Sequence, residues 1–376
     1  MSSTPAKPPV RTTDGSTLMG GPAPEDTSAE PPTPEHTECS ELSWSPVRGE
    51  SPTEPVPWTV AMKRAIRCGR RLRKLLQLPP DPAADAAESF PTFVPLELLE
   101  RIRPGDPNDP ILRQVLPSAD ELRQRPGYTS DPVGDLQSDA GGGILHKYHG
   151  RALIVTNGAC AVHCRYCFRR EFPYSEKAAQ GDRWSTALDY VRSDRTIEEV
   201  LLSGGDPLTL TDRVLADLVS KLEGVEHVRR LRVHTRLPIV IPQRITTELV
   251  RRLSDSPLRV WFVVHVNHAR EIDAAVEQSL GKLIGAGIPV LNQAVLLAGV
   301  NDDATQMEAL CRKLINVGVQ PYYLHHLDQV RGASHFWVAA QRGRAIVESL
   351  RERLPGYAVP EYVFEQAGAK SKTPIA

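Results

Sequence analysis

Three cysteines within eight positions are the first residues here whose types and spacing could do chemistry: Cys160, Cys164 and Cys167, a C-x3-C-x2-C array in TNGACAVHCRYCFRREFPY. Three thiolates on one short loop can hold three irons of a [4Fe–4S] cluster and leave the fourth iron open to a non-protein ligand. Zinc is the competing occupant, but a structural zinc site takes four ligands, and within the loop only His163 could complete one. A ferredoxin-type carrier needs a fourth cysteine at cluster spacing. Cys39 lies in a polar tail, Cys68 on a basic segment and Cys311 in an apolar helical pattern, so none is an obvious fourth ligand. A second feature, LLSGGDPL, places Ser203, Gly204, Gly205 and Asp206 after a hydrophobic run. Paired glycines let the backbone approach a ligand closely. Alone, the string also reads as a tight strand-to-helix turn with Asp206 near the helix start.

The elements that must position these residues repeat along the chain. Short β-branched runs occur at RALIVT (151–156), EVLLS (199–203), LRVHT (231–235), RVWFVVHV (259–266), IPVLNQAVLL (288–297) and PYYLHH (321–326). Helical periodicity follows each, near 185–193, 211–222, 246–255, 269–285, 302–317 and 337–353. Six strand-then-helix units imply an α/β fold with a parallel sheet and right-handed crossovers. Six units rather than eight imply a partial TIM-like (β/α)6 barrel. In barrels the chemistry gathers on loops beyond the strands' C-terminal ends, where the cysteine loop and the SGGD turn both fall.

Outside this barrel, 151–353, the sequence changes character. Residues 1–57 hold 12 of the 33 prolines, three basic residues and nine acidic ones, a net of −6, so a whole-chain charge of −1 leaves +5 for the rest. Such a composition buries too little apolar surface to offset ordering entropy, and predicts a disordered tail, either solubilising or a docking segment. Residues 58–79 read as one basic amphipathic helix stopped by Pro79 and Pro80. Residues 81–150 are rich in Pro, Asp and Gly, with short helical pieces at 95–103 and 118–124; together 58–150 form an expected N-terminal helical cap. Residues 354–376 are a C-terminal segment. Near-neutral charge argues against a general nucleic-acid binder, and six cysteines are too few for a disulfide scaffold. No run approaches the ~18 apolar residues of a membrane span, and the N-terminus lacks an apolar signal core. A cytoplasmic protein is the expectation.

The cysteine array, with Tyr166 before its last cysteine, resembles the radical S-adenosylmethionine (SAM) superfamily, and SGGD resembles that superfamily's site for the SAM amino group. From 58 to 376 the chain is similar to the lysine 2,3-aminomutase group, in strings such as RPGDPNDP, DPVGD, LHKYHGRALIVT, RLPIVIPQRI, PYYLHHLDQV and SKTP. It looks closest to the short members that make (R)-β-lysine for modifying elongation factor P. Its end at Ala376 and the glutamate at 365 are departures from the catabolic mutases. The resemblance implies an isomerase acting on L-lysine, with a [4Fe–4S] cluster, SAM and pyridoxal 5′-phosphate (PLP). Lys372, in SKTP, matches the lysine that holds PLP as a Schiff base, with Lys370 as neighbouring competitor. Arg169 matches the partner of the substrate carboxylate; Asp328 and Glu365 match the acids that receive its distal ammonium. Tyr148 matches an aromatic residue beside the pyridine ring, with Lys147, Arg151 and Arg236 as candidates for the PLP phosphate. Ser203, Gly204, Gly205, Asp206, His265, Asn267 and Gln293 match positions near SAM. A reductant protein such as flavodoxin or ferredoxin is the implied partner, without nucleic acid or membrane, and the family pattern allows a homo-oligomer. The alternatives are a mutase serving a free amino-acid pool and, in another class, an Fe–S radical or electron-transfer protein without PLP.

Overall fold

The computed structural model describes residues 56–86, 90–177 and 184–376. The expected tail, 1–57, lies outside them except for its last two residues. One ten-stranded sheet runs in chain order from β1 (Asp139–Gly141) and β2 (Ile144–Tyr148) through β3 (Arg151–Asn157), β4 (Glu199–Gly204), β5 (Arg230–Thr235) and β6 (Arg259–Val264). It continues with β7 (Val290–Val295), β8 (Gln320–His325), β9 (Glu361–Phe364) and β10 (Thr373–Pro374). From β3 to β9 every neighbouring pair is parallel. The antiparallel additions β1–β2 and β10 flank them at the two edges.

All six expected strand–helix units are present: helices Ser185–Ser193, Asp212–Glu223, Thr247–Ser254, Ala274–Gly285, Ala304–Asn316 and Ala340–Arg353 follow β3 to β8 in turn. Helix Asp212–Glu223 shows why they pack as they do. Leu215, Leu218, Val219 and Leu222 recur at helical spacing and are buried together, each burial stabilising by about 1.5–3 kcal/mol. Starts are fixed by side-chain caps: Thr246 accepts from the Leu249 N–H, Asp273 from Val276, and Asp303 from Thr305 and Gln306.

Three expectations change. The basic stretch 58–79 is two helices, Trp58–Arg64 and Gly69–Leu75, because Ile66, fully buried, pairs in extended conformation with Val94 through reciprocal N–H···O bonds of 2.8 and 2.9 Å. The segment before 151 is not helical throughout: Asp139–Tyr148 turns through glycines of positive φ at 141, 142 and 143 and adds β1 and β2 to the sheet. A seventh parallel strand, β9, follows the last helix and carries Glu365 to the strand ends. Among the described residues no helix is long and apolar enough to cross a membrane.

Candidate active site

The cysteine loop leaves β3 at Asn157, whose Oδ1 accepts the Ala159 N–H at 2.8 Å. The loop after β4 is stitched to it: Gly205 N–H donates to Asn157 O at 2.8 Å and Asp206 N–H to Ala159 O at 2.7 Å. The approach leaves no room for side chains. A Cβ on Gly205 would stand 2.2 Å from Ala159 O, and Gly204 sits at φ +109° with its Cβ direction blocked by Val155 and Asn157. On its outer side the loop is held by the N-terminal segment. His163 N–H donates to Phe93 O at 3.0 Å and Arg165 N–H to Gln114 O at 2.8 Å. The buried Arg165 guanidinium forks onto Glu121 at 2.8 and 2.6 Å, and Arg170 adds a third bond to Glu121 at 2.6 Å.

Cys160, Cys164 and Cys167 are free thiols, half-buried at the loop's inner turn. His163, the residue that could have completed a zinc site, stacks on Phe90 at 5.2 Å and directs Nδ1 to Pro91 O at 2.9 Å, so its ring is engaged with the cap. Among the described residues no three His, Cys, Asp or Glu side chains form a ready-made ion cage. The fit to an iron–sulfur cluster rests on the donor set, three free thiols on one loop.

A second constellation joins the two edges of the sheet. Arg169 Nε pairs with Asp135 Oδ2 at 2.6 Å, Asp135 Oδ1 with Lys147 Nζ at 2.6 Å, Lys147 with Glu365 Oε1 at 2.8 Å, and Glu365 Oε2 with Lys372 at 2.6 Å. Charges thus alternate along five side chains drawn from the loop before β1, from β2, from the cysteine loop and from both sides of the β9–β10 turn. Burial alone would raise the Glu365 carboxyl, but Lys372 and Lys147 outweigh it and hold it well below the usual carboxylate range. Asp135, 1% exposed, is lowered in the same way by Arg169 and Lys147. Asp328, beyond β8, lies within electrostatic reach of the group but forms no ion pair with it. Burial first, and Glu365 second, push its carboxyl up to about 7.

The expected residues divide accordingly. Arg169, Lys147, Glu365, Lys372 and Asp328 come together, and Tyr148 joins them with Arg151 at 4.7 Å over its ring. Lys370, the competitor of Lys372, is exposed. Ser203 reaches the group through a 3.4 Å bond from Arg169 Nη1. Two of the expected residues are engaged by protein groups. Arg236 does not join Lys147 and Arg151, since its guanidinium is engaged by Cys164, Gln114 and Glu271. Asp206 has no acceptor directed at a ligand: its carboxylate takes bonds from Thr235 and from the N–H groups of Leu208, Arg236 and Leu237, so it caps turns after β4 and β5. Asn267 likewise spends its amide on Gln114 and Val295, whereas Gln293 lies buried on β7.

Several residues of the site gave no sequence signal of their own. Asp135 sits in the DPVGD string, where an aspartate among Pro and Gly looks like a turn former. His234 and His325 stand at the ends of β5 and β8, both kept neutral by burial and by cations that include Lys372. Their Nε2 atoms are buried without hydrogen-bond partners. His265, 6.0 Å from His234 ring to ring, is lowered to about 4 by burial and by Arg236, Arg169 and Lys372. Orphaned buried nitrogens on the side where the strands end, beside an unpaired carboxyl, fit an interior that receives polar ligands.

Residues 149–233, which include the three cysteines and the SGGD turn, match the profile of a 4Fe-4S single cluster domain. The chain is 46% identical over 290 residues to the L-lysine 2,3-aminomutase of Escherichia coli (strain K12), covering 77% of this chain and 84% of that protein. It is 43% identical over 330 residues to the L-lysine 2,3-aminomutase of Haemophilus influenzae, covering 86% and 98%. The L-lysine 2,3-aminomutase of Clostridium subterminale is 35% identical over 322 residues, covering 85% and 77%.

Proposed function

Because the chain belongs to the L-lysine 2,3-aminomutase family, we propose that it is a radical SAM, PLP-dependent isomerase converting L-lysine to (R)-β-lysine. The observation that carries this reading is the alternating chain Arg169–Asp135–Lys147–Glu365–Lys372, with Asp328 unpaired beside it. It offers a cation at one end and two carboxyls toward the other, the arrangement that an α-carboxylate and a distal ammonium on one substrate require.

Cys160, Cys164 and Cys167 would hold the cluster, and Lys372 would anchor PLP. When bound, these groups with SAM supply a carbon radical that takes hydrogen from Cβ and a π-system for the migrating nitrogen. The protein's own part is placement. Asp135 fixes Arg169 through Nε; Nη1 makes a 3.4 Å bond to Ser203 Oγ, and the remaining outer N–H groups would face the substrate carboxylate. With Lys372 holding PLP, Glu365 Oε2 would be free to accept the substrate's distal ammonium. Arrival of the ammonium also favours ionised Asp328, whose proton leaves to solvent. Gly204 and Gly205 keep the β4 loop flush against the cysteine loop, where SAM would bind beside Ser203. The polar tail 1–57, cap 58–150, barrel 151–353 and C-terminal segment 354–376 are the organisation this reading assumes.

Anaerobic, iron-loaded protein given L-lysine, SAM and a one-electron reductant should form β-lysine; protein with full iron and PLP that forms none sinks the reading. Lys372→Ala should abolish the visible absorbance of the PLP-bound protein, and absorbance that survives would move the anchor to Lys370. We further infer a cytoplasmic role in supplying β-lysine for elongation factor P, supported by the resemblance of the motif strings to the short members of the family. Intact mass of that factor from source cells lacking this gene should fall by one lysyl unit, and an unchanged mass would favour a free pool.

A further inference from the structure

Arg236 follows β5 and is almost fully buried, yet among the described residues a single carboxylate, that of Glu271, pairs with its guanidinium. Its Nη1 donates to Cys164 Sγ at 2.7 Å. Its Nη2 donates to Gln114 Oε1 and Glu271 Oε2, each at 2.8 Å. Arg236 is 6% exposed, and Glu271 and Gln114 are fully enclosed. The holders are themselves held. Glu271 Oε1 accepts the N–H groups of Asn267 and His268 at 3.0 Å and Gln114 Nε2 at 3.1 Å. Gln114 O accepts the N–H of Arg165, the residue after Cys164. Arg236 N–H donates to Asp206 at 2.8 Å, and the Tyr166 ring lies 5.8 Å from the guanidinium carbon. The arginine is therefore held by Gln114, Glu271 and Asp206 while Nη1 alone meets the sulfur.

Cys164 is one of the three thiols that fit the cluster, and a sulfur bound to iron carries negative charge. An N–H···S bond and a fixed positive charge at that sulfur favour the cluster state with one more electron, because hydrogen bonds to the sulfurs and local charge set the potential. Guanidinium does not deprotonate in proteins, so the bias is present at every working pH. A role as a clamp on the loop alone would not require a charge: Gln114 already bonds the main chain at Arg165, and Glu121 already fixes the Arg165 side chain.

We propose that Arg236 is a positioning residue that hydrogen-bonds Cys164 and raises the reduction potential of the cluster, with Glu271 and Gln114 holding it in place. The step it favours is uptake of one electron by the oxidised cluster from a low-potential one-electron donor, with no proton and no bond change in the protein. The inference rests on the cluster reading of the three cysteines.

The test is a redox titration of the full chain, reconstituted anaerobically with iron and sulfide and read by the electron paramagnetic resonance of the reduced cluster. Arg236→Gln alone would leave Glu271 buried and unpaired, so it is made together with Glu271→Gln, which keeps the local charge balanced. At the wild-type midpoint the reduced-to-oxidised ratio of this double variant should fall about tenfold, a midpoint ~59 mV lower for one electron. Glu271→Gln alone keeps Arg236 and removes its counter-charge, and should shift the midpoint upward. Midpoints equal to wild type at full iron content would overturn the inference while leaving the cluster reading intact. Loss of iron from both variants with native helix content would also overturn it, in favour of a clamp. A wild-type chain that takes up no cluster would instead overturn the reading on which the inference rests.

Discussion

Asp328 is the carboxyl whose ionisation the surrounding structure opposes most openly, and Asp328→Asn isolates that opposition. Its pKa stands at about 7 against an ordinary 3.8, through burial and then through Glu365. A carboxyl whose folded pKa exceeds its unfolded value costs stability once the unfolded chain ionises while the folded group is held protonated. Below the unfolded value it is protonated in both states and the cost is absent. The cost grows as pH rises through the interval and is constant above about 7. At about 1.4 kcal/mol per unit, a shift of roughly three units sets a ceiling near 4 kcal/mol. The side chain is only half-buried, and solvent screening brings the expected value to about 2 kcal/mol. Urea unfolding of cofactor-free protein at intervals from about pH 4.5 to pH 8 should show Asp328→Asn gaining on wild type as pH rises, then running parallel above about pH 7. A stability difference independent of pH over that range would refute the reasoning, because a lost packing contact has no such dependence.

Glu365→Gln removes the carboxylate that Lys147 and Lys372 share and should cost about 3 kcal/mol or less in thermal unfolding, since Lys372 loses its counter-charge while Lys147 keeps Asp135. Glu365→Asp keeps the charge on a shorter arm that cannot reach both lysines; KM for L-lysine should rise about tenfold with a smaller stability loss. Asp135→Asn releases Arg169 and Lys147 together, and should weaken L-lysine binding by about 2 kcal/mol or more in steady-state kinetics, with SAM binding by calorimetry unchanged. Gly205→Ala places a methyl 2.2 Å from the Ala159 carbonyl oxygen, so the β4 loop must part from the cysteine loop. Iron content after reconstitution and SAM affinity should both fall about tenfold or more, while far-ultraviolet circular dichroism stays native.

The barrel was legible because its signals are local. Each of β3 to β8 is a short run of ordinary strand length that includes buried apolar residues, and each helix after it carries apolar residues at helical spacing. What was missed lacks such signals. β9 is four residues long, β1 contains a glycine and two exposed positions, and β10 contains a proline. Nothing in 58–79 shows that Ile66 pairs with Val94, a contact made across 28 positions of sequence, and it is that pairing which divides the helix.

The site follows the same division, and the division has a physical origin. Residue type and spacing were enough to single out three thiols on one loop and a pair of glycines at a close backbone approach, whereas Lys372 was singled out only by the resemblance of its SKTP string. Residues whose role is set by a counter-charge were not readable in that way, because the counter-charge is remote. Lys147 and Glu365 are 218 positions apart, Arg236 and Gln114 are 122 apart, and Arg169 and Asp135 are 34 apart. A cation in a motif-rich loop suits a phosphate as well as it suits a carboxylate or a thiolate, and sequence alone does not choose among them. Burial does. At 6% exposure the Arg236 guanidinium draws on acceptors nearby, and Nη1 and Nη2 find Cys164, Gln114 and Glu271 while Nε is left without a partner. The same argument fixes Lys372. Its half-enclosed ammonium needs a carboxylate, the one within reach is Glu365, and Glu365 is the carboxylate that an incoming ammonium would also seek. Lys372 therefore occupies, before any ligand arrives, the charge position that the substrate is proposed to take.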